Sequence, residues 1–249
     1  MFGSYVPLSD FLRSPESALF CYPDTLLSDD RILEIKNLGV TGVYRFGAKR
    51  VGNWQCLGIG YCGAVLLVQT QKQVAALKVR RTDAPQESFE REAKGLAIAN
   101  KSQVGPQLIA HTQNFLLMGY AAGQPLGEWL SKSQSRDTAL QVIRDLLHQA
   151  FRLDQAGIDH GNLRCVTSHV VVNDNQPTLL DFSSVSCDRR PANVTTLTQG
   201  LFWGTVIAQK MKDIGISPNK ENCIQQLRAY KQLPNFNNFN SLLSLLESP

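Results

Sequence analysis

Several features are missing from this chain, and each absence narrows its class. No apolar run approaches the roughly 20 residues that a membrane helix needs. The opening stretch, MFGSYVPLSDFLRSPES, has no basic segment leading into an apolar one, so a secretory leader is not expected. Charge is scarce: charged residues make up 18% of 249, too few for an expanded, disordered chain. The net charge of +4 lacks the broad basic footprint of a dedicated nucleic-acid binder, yet tolerates an anionic ligand. The six cysteines are scattered and none forms Cys-x-x-Cys, which argues against a structural zinc site and a thioredoxin-type motif. Reduced thiols in a cytoplasmic protein are the plain expectation. Asn193-Val194-Thr195 matches a glycosylation sequon, which carries no weight without secretion. There is no internal repeat and no low-complexity linker.

What is present is a core. At 43% hydrophobic, the chain suits one large domain or two small lobes. Gly58, Gly60 and Gly63 form G-x-G-x-x-G within LGIGYCGAVLLVQTQKQVAALKVRR, residues 57–81. The motif alone is ambiguous, and its context decides. A dinucleotide site needs a helix directly after the glycines, to hold pyrophosphate at its N-terminus. Here AVLLV follows, a short branched apolar run that reads as a strand, then QTQKQ as a polar turn and VAALKV as a second strand. Strand, glycine turn, strand, turn, strand resembles the nucleotide-covering hairpin of protein kinases.

On that resemblance, Val65 covers the adenine. Lys78 ends AALK and neutralises the α- and β-phosphates, the alternative being a solvated lysine at a strand end. A helix is expected from about Pro85, with Phe89, Ala93, Leu96 and Ala97 at helical spacing. Glu92 falls on the Phe89–Leu96 side and is expected to pair with Lys78, while Glu90 points elsewhere. QLIAHTQNFLLMGY reads as two strands, the second leading to Met118 and Tyr120, whose backbone would hold adenine.

Further on, RDTALQVIRDLLHQAFRLDQAG has helical periodicity and ends at Gly157, a plausible cap. GIDHGNLRCVTSHVVV then resembles a kinase catalytic loop, with His160 and Leu163 in place but Asn162 where the catalytic Asp belongs. NDNQP reads as a turn between two strands. The second strand ends in Asp181-Phe182-Ser183, where kinases carry the Mg²⁺-binding Asp-Phe-Gly. Taken in order, these motifs resemble the small atypical protein-kinase-like proteins of bacteria and archaea, relatives of the RIO-type kinases and of the kinase subunit of the KEOPS complex. The likeness covers roughly residues 40 to 210. That group reads His-Gly-acid-Leu at the loop, so Gly161 fits and Asn162 departs.

The resemblance implies an α+β, protein-kinase-like two-lobe fold. A helical extension over 1–45 would precede a small antiparallel-sheet N-lobe over 46–118 and a mainly helical C-lobe over 119–249. It implies Mg-ATP as cofactor, with Mn²⁺ possible, and phosphoryl transfer to a Ser/Thr hydroxyl of a protein substrate or partner that the sequence does not name. Asp181 would hold the metal. The usual asparagine ligand, five residues after the acid, is replaced by Thr167, and His169 is the next candidate, as a metal ligand or as a structural histidine. Asp159 is a conceivable substitute for the missing base. Only the nine residues 182–190 separate Asp181 from Pro191, too few for the long activation segment that docks peptides. Two readings therefore stand beside the kinase: an ATP-binding pseudokinase acting as a scaffold, and an ATPase or small-molecule kinase.

Overall fold

A computed structural model describes residues 2–85, 87–132 and 134–247, so Ser248 and Pro249 of the Asn- and Leu-rich tail lie outside the described residues. The fold is α+β with antiparallel sheets. The chain divides into two compact units, one formed by residues up to 97 together with 106–121, the other by 98–105 and the residues from 122 onward.

The first unit opens with β1 (Tyr5–Pro7), α1 (Leu8–Arg13), a 3-10 segment (Pro15–Cys21) and α2 (Asp29–Asn37). Ser28 caps α2 by accepting from the Arg31 amide, as its type and position lead one to expect. Strands β2 (Val40–Tyr44), β3 (Lys49–Val51), β4 (Trp54–Cys56), β5 (Gly58–Ile59), β6 (Gly63–Thr70) and β7 (Val74–Arg80) follow. Then come α3 (Glu90–Lys101), β8 (Leu108–His111) and β9 (Phe115–Gly119). The main sheet runs β1-β2-β6-β7-β9-β8, and β5 also pairs with β6. Its centre, β6 and β7, is apolar nearly throughout because both faces are covered. One face rests on a core of Phe11, Phe20, Ile35, Trp54, Leu66, Leu77 and Phe115. Residues 1–45, expected as a helical extension, thus also supply β1 and β2 to the sheet. Val40, Gly42, Val43 and Tyr44 pair with β6, so this segment is built into the unit.

The second unit holds β10 (Gln124–Pro125), α4 (Leu126–Leu130), the long α5 (Arg136–Gln155), the single-turn α6 (Val166–His169), β11 (Val170–Asn173) and β12 (Gln176–Leu179). Four helices complete it: α7 (Asn193–Phe202), α8 (Val206–Asp213), α9 (Lys220–Gln232) and α10 (Phe236–Glu247). Asp174 and Asn175 both have positive φ, the signature of a two-residue turn, and they close the β11–β12 hairpin. A single helix through residues 192–211 would be the simplest reading of that stretch. It breaks instead at Trp203–Thr205, where Gly204 turns at φ +69° and Thr205 caps α8. Among the described residues no helix is long and apolar enough to cross a membrane.

Candidate functional site

The candidate residues fall into two groups, one in each unit. In the first unit, β5 and β6 pair as Gly58↔Val65 and Ile59↔Ala64, and the Gly60 amide donates to the Gly63 carbonyl at 2.8 Å. The turn so closed puts Tyr61 at its tip, 79% exposed. The three glycines are not equivalent. A Cβ on Gly63 would lie 2.2 Å from the Val79 carbonyl oxygen, so the close approach of β6 to β7 already requires glycine there. A Cβ on Gly58 would come no closer than 3.8 Å to the Val65 side chain, and one on Gly60 no closer than 3.7 Å to Gly63. Neither has a positive φ. Backbone conformation and packing leave both positions open to a larger residue, which is the condition of a loop that keeps room for a ligand.

Lys78 sits on central strand β7, opposite Val65 on one side and Leu116 on the other. Its ammonium reaches Glu92 of α3 at 2.7 and 3.0 Å, and both residues are buried, at 6% and 4% exposure. The Lys78 nitrogen also lies 5.8 Å from the centre of the Phe89 ring. The helix begins at Glu90, later than Pro85 suggested, and Phe89 is a fully buried anchor just ahead of it. Glu90 faces outward, bonded to Lys94 and His111. Met118 is half-buried at the end of β9, and the Gly119 amide is already donated to the Gln107 carbonyl. The Tyr120 ring meets Phe2 at 5.7 Å and Phe46 at 6.3 Å, and burial pushes its phenol above the ordinary range. Nothing in the sequence pattern flagged Phe2 or Phe46.

In the second unit the loop after α5 is tied down at almost every residue. Gly157 has φ +72° and ends the helix, with the Ile158 amide bonded back to Leu153. Asp159 and Ser186 exchange both backbone hydrogen bonds at 2.9 Å. The Asp159 carboxylate accepts from Arg189 Nε at 2.8 Å, and Arg189 also donates to the Ser184 carbonyl. The His160 amide donates to Asn193 Oδ1, while the Asn193 amide group donates to Asp154 and to the Ile158 carbonyl. Asp154 in turn accepts from Tyr230 of α9. Asn193 is 1% exposed, so the sequon residue is a buried strut. Gly161, at φ +84°, has no room for a side chain: a Cβ would meet the Ser184 carbonyl oxygen at 2.4 Å and the Arg189 guanidinium at 2.5 Å.

Asn162 is half-buried, and its carbonyl accepts from Cys165 N and from His169 Nδ1. Among the described residues its side-chain amide takes no hydrogen bond. His160 is fully buried. Its Nε2 bonds the Leu180 carbonyl at 3.1 Å, its ring packs 4.8 Å from that of Phe182, and burial lowers its pKa to about 4. Asp181 stands at φ +63°, a conformation that costs a non-glycine residue energy and that clusters at functional sites.

The donor chemistry around Asp181 suits a cation. His169 gives its Nδ1 proton to the Asn162 carbonyl, so in the neutral ring Nε2 carries a lone pair. That nitrogen faces Asp181 Oδ2 at 3.5 Å. The Asp181 carboxylate also accepts from the Ser183 amide at 3.3 Å, so a histidine and a carboxylate stand side by side after β12. Among the described residues no group of three or more His, Cys, Asp or Glu forms a metal cage. Mg²⁺ held mainly by substrate phosphates needs only one or two carboxylates, which Asp181 can supply, and Mn²⁺ accepts an imidazole as well. No protein-family model matches the chain, and no curated protein matches it either.

Proposed function

We propose that the chain is an ATP-dependent phosphotransferase, an atypical serine/threonine protein kinase using Mg-ATP or Mn-ATP. The observation that carries this reading is the buried pair of Glu92 on α3 with Lys78, which sits in the same sheet as a glycine turn whose Gly58 and Gly60 are needed neither by the backbone nor by packing. A buried ion pair is a poor source of stability, because desolvation offsets the attraction. A lysine positioned to meet phosphate gives it a purpose. The strand order β5-β6-β7-β9-β8, the one-turn connection from loop to hairpin and the acid in a left-handed conformation after β12 are all consistent with a two-lobe kinase-like fold.

In this reading Glu92 holds Lys78 so that its ammonium meets the α- and β-phosphates. Val65 and the strand end at Met118–Tyr120 contact the base. Asp181 would hold the metal, which would supply charge neutralisation at the transferred phosphoryl group. His169 orients the Asp181 carboxylate from one side. Asn162 accepts a hydrogen bond from the acceptor hydroxyl through its amide oxygen, but an amide does not hold the proton at neutral pH. Phosphoryl transfer depends mostly on positioning and charge neutralisation, so the missing base slows the reaction without ending it.

One observation favours a second reading, an ATP-binding scaffold without transfer. Asp159, the conceivable replacement base, is held by Arg189. Incubation with γ-labelled ATP and Mg²⁺ or Mn²⁺ separates the cases. We expect label on protein, abolished in Asp181→Ala, and an Asn162→Asp variant that transfers faster by at least about 10-fold, since a general base contributes about 10²–10⁴. Free phosphate alone would indicate an ATPase, and bound ATP with neither product would indicate the scaffold.

A further inference from the structure

The second unit carries an open groove of about 870 Å³ beside the break between α7 and α8. Its apolar wall is made by Phe202, Trp203, Val206 and Pro218, and its polar rim carries Lys212 and Lys220. Val206 is 68% exposed, unusual for a branched apolar side chain at the start of a helix. No lining residue is acidic. Among the described residues neither lysine is in an ion pair, so two cations stand beside a groove of mixed apolar and polar lining. Thr205 and Asn219, the N-caps of α8 and α9, also line the groove; Lys220 opens α9, whereas Lys212 lies in the last turn of α8.

We propose that this groove docks an acidic protein segment bearing an aromatic or branched apolar side chain. The apolar wall takes that side chain, and Lys212 and Lys220 meet flanking carboxylates. Charge complementarity selects this occupant over a nucleic acid. A phosphate backbone wants a continuous basic stripe, whereas here each lysine is followed in the chain by an acid, Asp213 and Glu221. Asp213 is further committed to accepting from Gln209 at 2.7 Å. The proposal is independent of whether the loop at Asn162 transfers phosphate, because no residue of that loop lines the groove.

The test pans a displayed library of random dodecamers against the full chain, then titrates the enriched peptides by fluorescence anisotropy. We expect an acidic set with at least one aromatic or branched apolar residue. Binding should weaken by about 10-fold or more in the Lys212→Glu, Lys220→Glu double variant and with rising salt, and less in the matching double Gln variant. Val206→Asp should weaken it too. Both lysines are exposed, and unchanged circular dichroism and melting temperature would show that the variants fold. No enrichment, enrichment without acidic bias, or binding unaffected by the double Glu variant would overturn the proposal. So would tighter binding of labelled single-stranded RNA or of anionic phospholipid vesicles, lost in the same variant.

Discussion

Gly58 and Gly63 are the same residue for opposite reasons, and that difference is testable. Gly63→Ala places a methyl 2.2 Å from the Val79 carbonyl oxygen, where backbone has to move, and should cost at least about 2 kcal/mol in urea unfolding. Gly58→Ala and Gly60→Ala meet only ordinary contacts and remove chain entropy from the unfolded state, so stability should hold or rise by about 0.4–1 kcal/mol. In the proposed reading these two variants instead lose affinity for ATP, measured by calorimetry. Lys78 and Glu92 give a parallel contrast. Lys78→Met leaves the Glu92 carboxylate buried without its cation and should destabilise by about 3–5 kcal/mol. Adding Glu92→Leu should restore most of that stability while nucleotide binding stays lost. A double variant that binds ATP as well as the parent would remove Lys78 from the phosphate site. These residues were legible in the sequence because their spacing lies within one hairpin and one helix. The Asp159–Arg189 pair was not, since its partners lie 30 residues apart and meet only through the backbone bridge to Ser186.

At the scale of elements, the least legible part was residues 1–45. SDFLRSPESALF and DDRILEIKNLGV read as short helices capped by Ser9 and Ser28; Ser28 does cap α2, but Ser9 lies inside α1, whose N-cap is Pro7. The β1 and β2 runs are only three and five residues long, and their strand character comes from pairing, β2 with β6 and β1 with β2, rather than from their own periodicity. The long α5 and the β11–β12 hairpin were legible because periodicity and turn chemistry agree. Ile35 in the core and the Arg31 bond to the Arg80 carbonyl fasten α2 to the sheet, and one side chain in the β8–β9 turn joins them. The carboxamide oxygen of Asn114 accepts from Arg31 at 2.8 Å and from Arg80 at 2.7 and 3.0 Å. Its amide groups donate to Glu34 of α2 at 2.6 and 3.0 Å. Arg31 is 5% exposed, and burial lowers its pKa from the usual arginine range. Asn114→Ala would take a shared carboxamide from Arg31, Arg80 and Glu34 at once, leaving Glu34 only the backbone amide, and should cost about 3 kcal/mol. Hydrogen exchange should show the α2 amides losing protection more than those of β7. Uniform loss across both would mean that Asn114 supports the whole unit and not the helix attachment.

For the molecule as a whole, pH exposes how the second unit is held together. His160 is buried as a neutral ring, and its pKa falls from 6.5 to about 4, chiefly through desolvation and then through nearby His169. An unfolded chain takes up the proton near 6.5 and the folded chain only near 4, so between these values the unfolded state binds more protons. Stability therefore falls as pH drops through that window and levels off below it, by roughly 3 kcal/mol for this residue. Asp154 works in the opposite sense. Burial raises its pKa despite the bonds from Asn193 and Tyr230, so it costs stability at neutral pH and that cost recedes as acid protonates it. The raw pH profile mixes the two, and a difference between variants separates them. His160→Gln keeps a polar side chain but cannot titrate. It should be less stable than the parent near neutrality, because it fits the site less well, and should show a shallower acid slope. The gap between the two urea midpoints should then narrow steadily from pH 6.5 to about 4. Parallel profiles would show that the folded protein protonates His160 as readily as the unfolded one. The ring would then be a charged donor to the Leu180 carbonyl, and the acid sensitivity of the unit would have to come from its carboxylates.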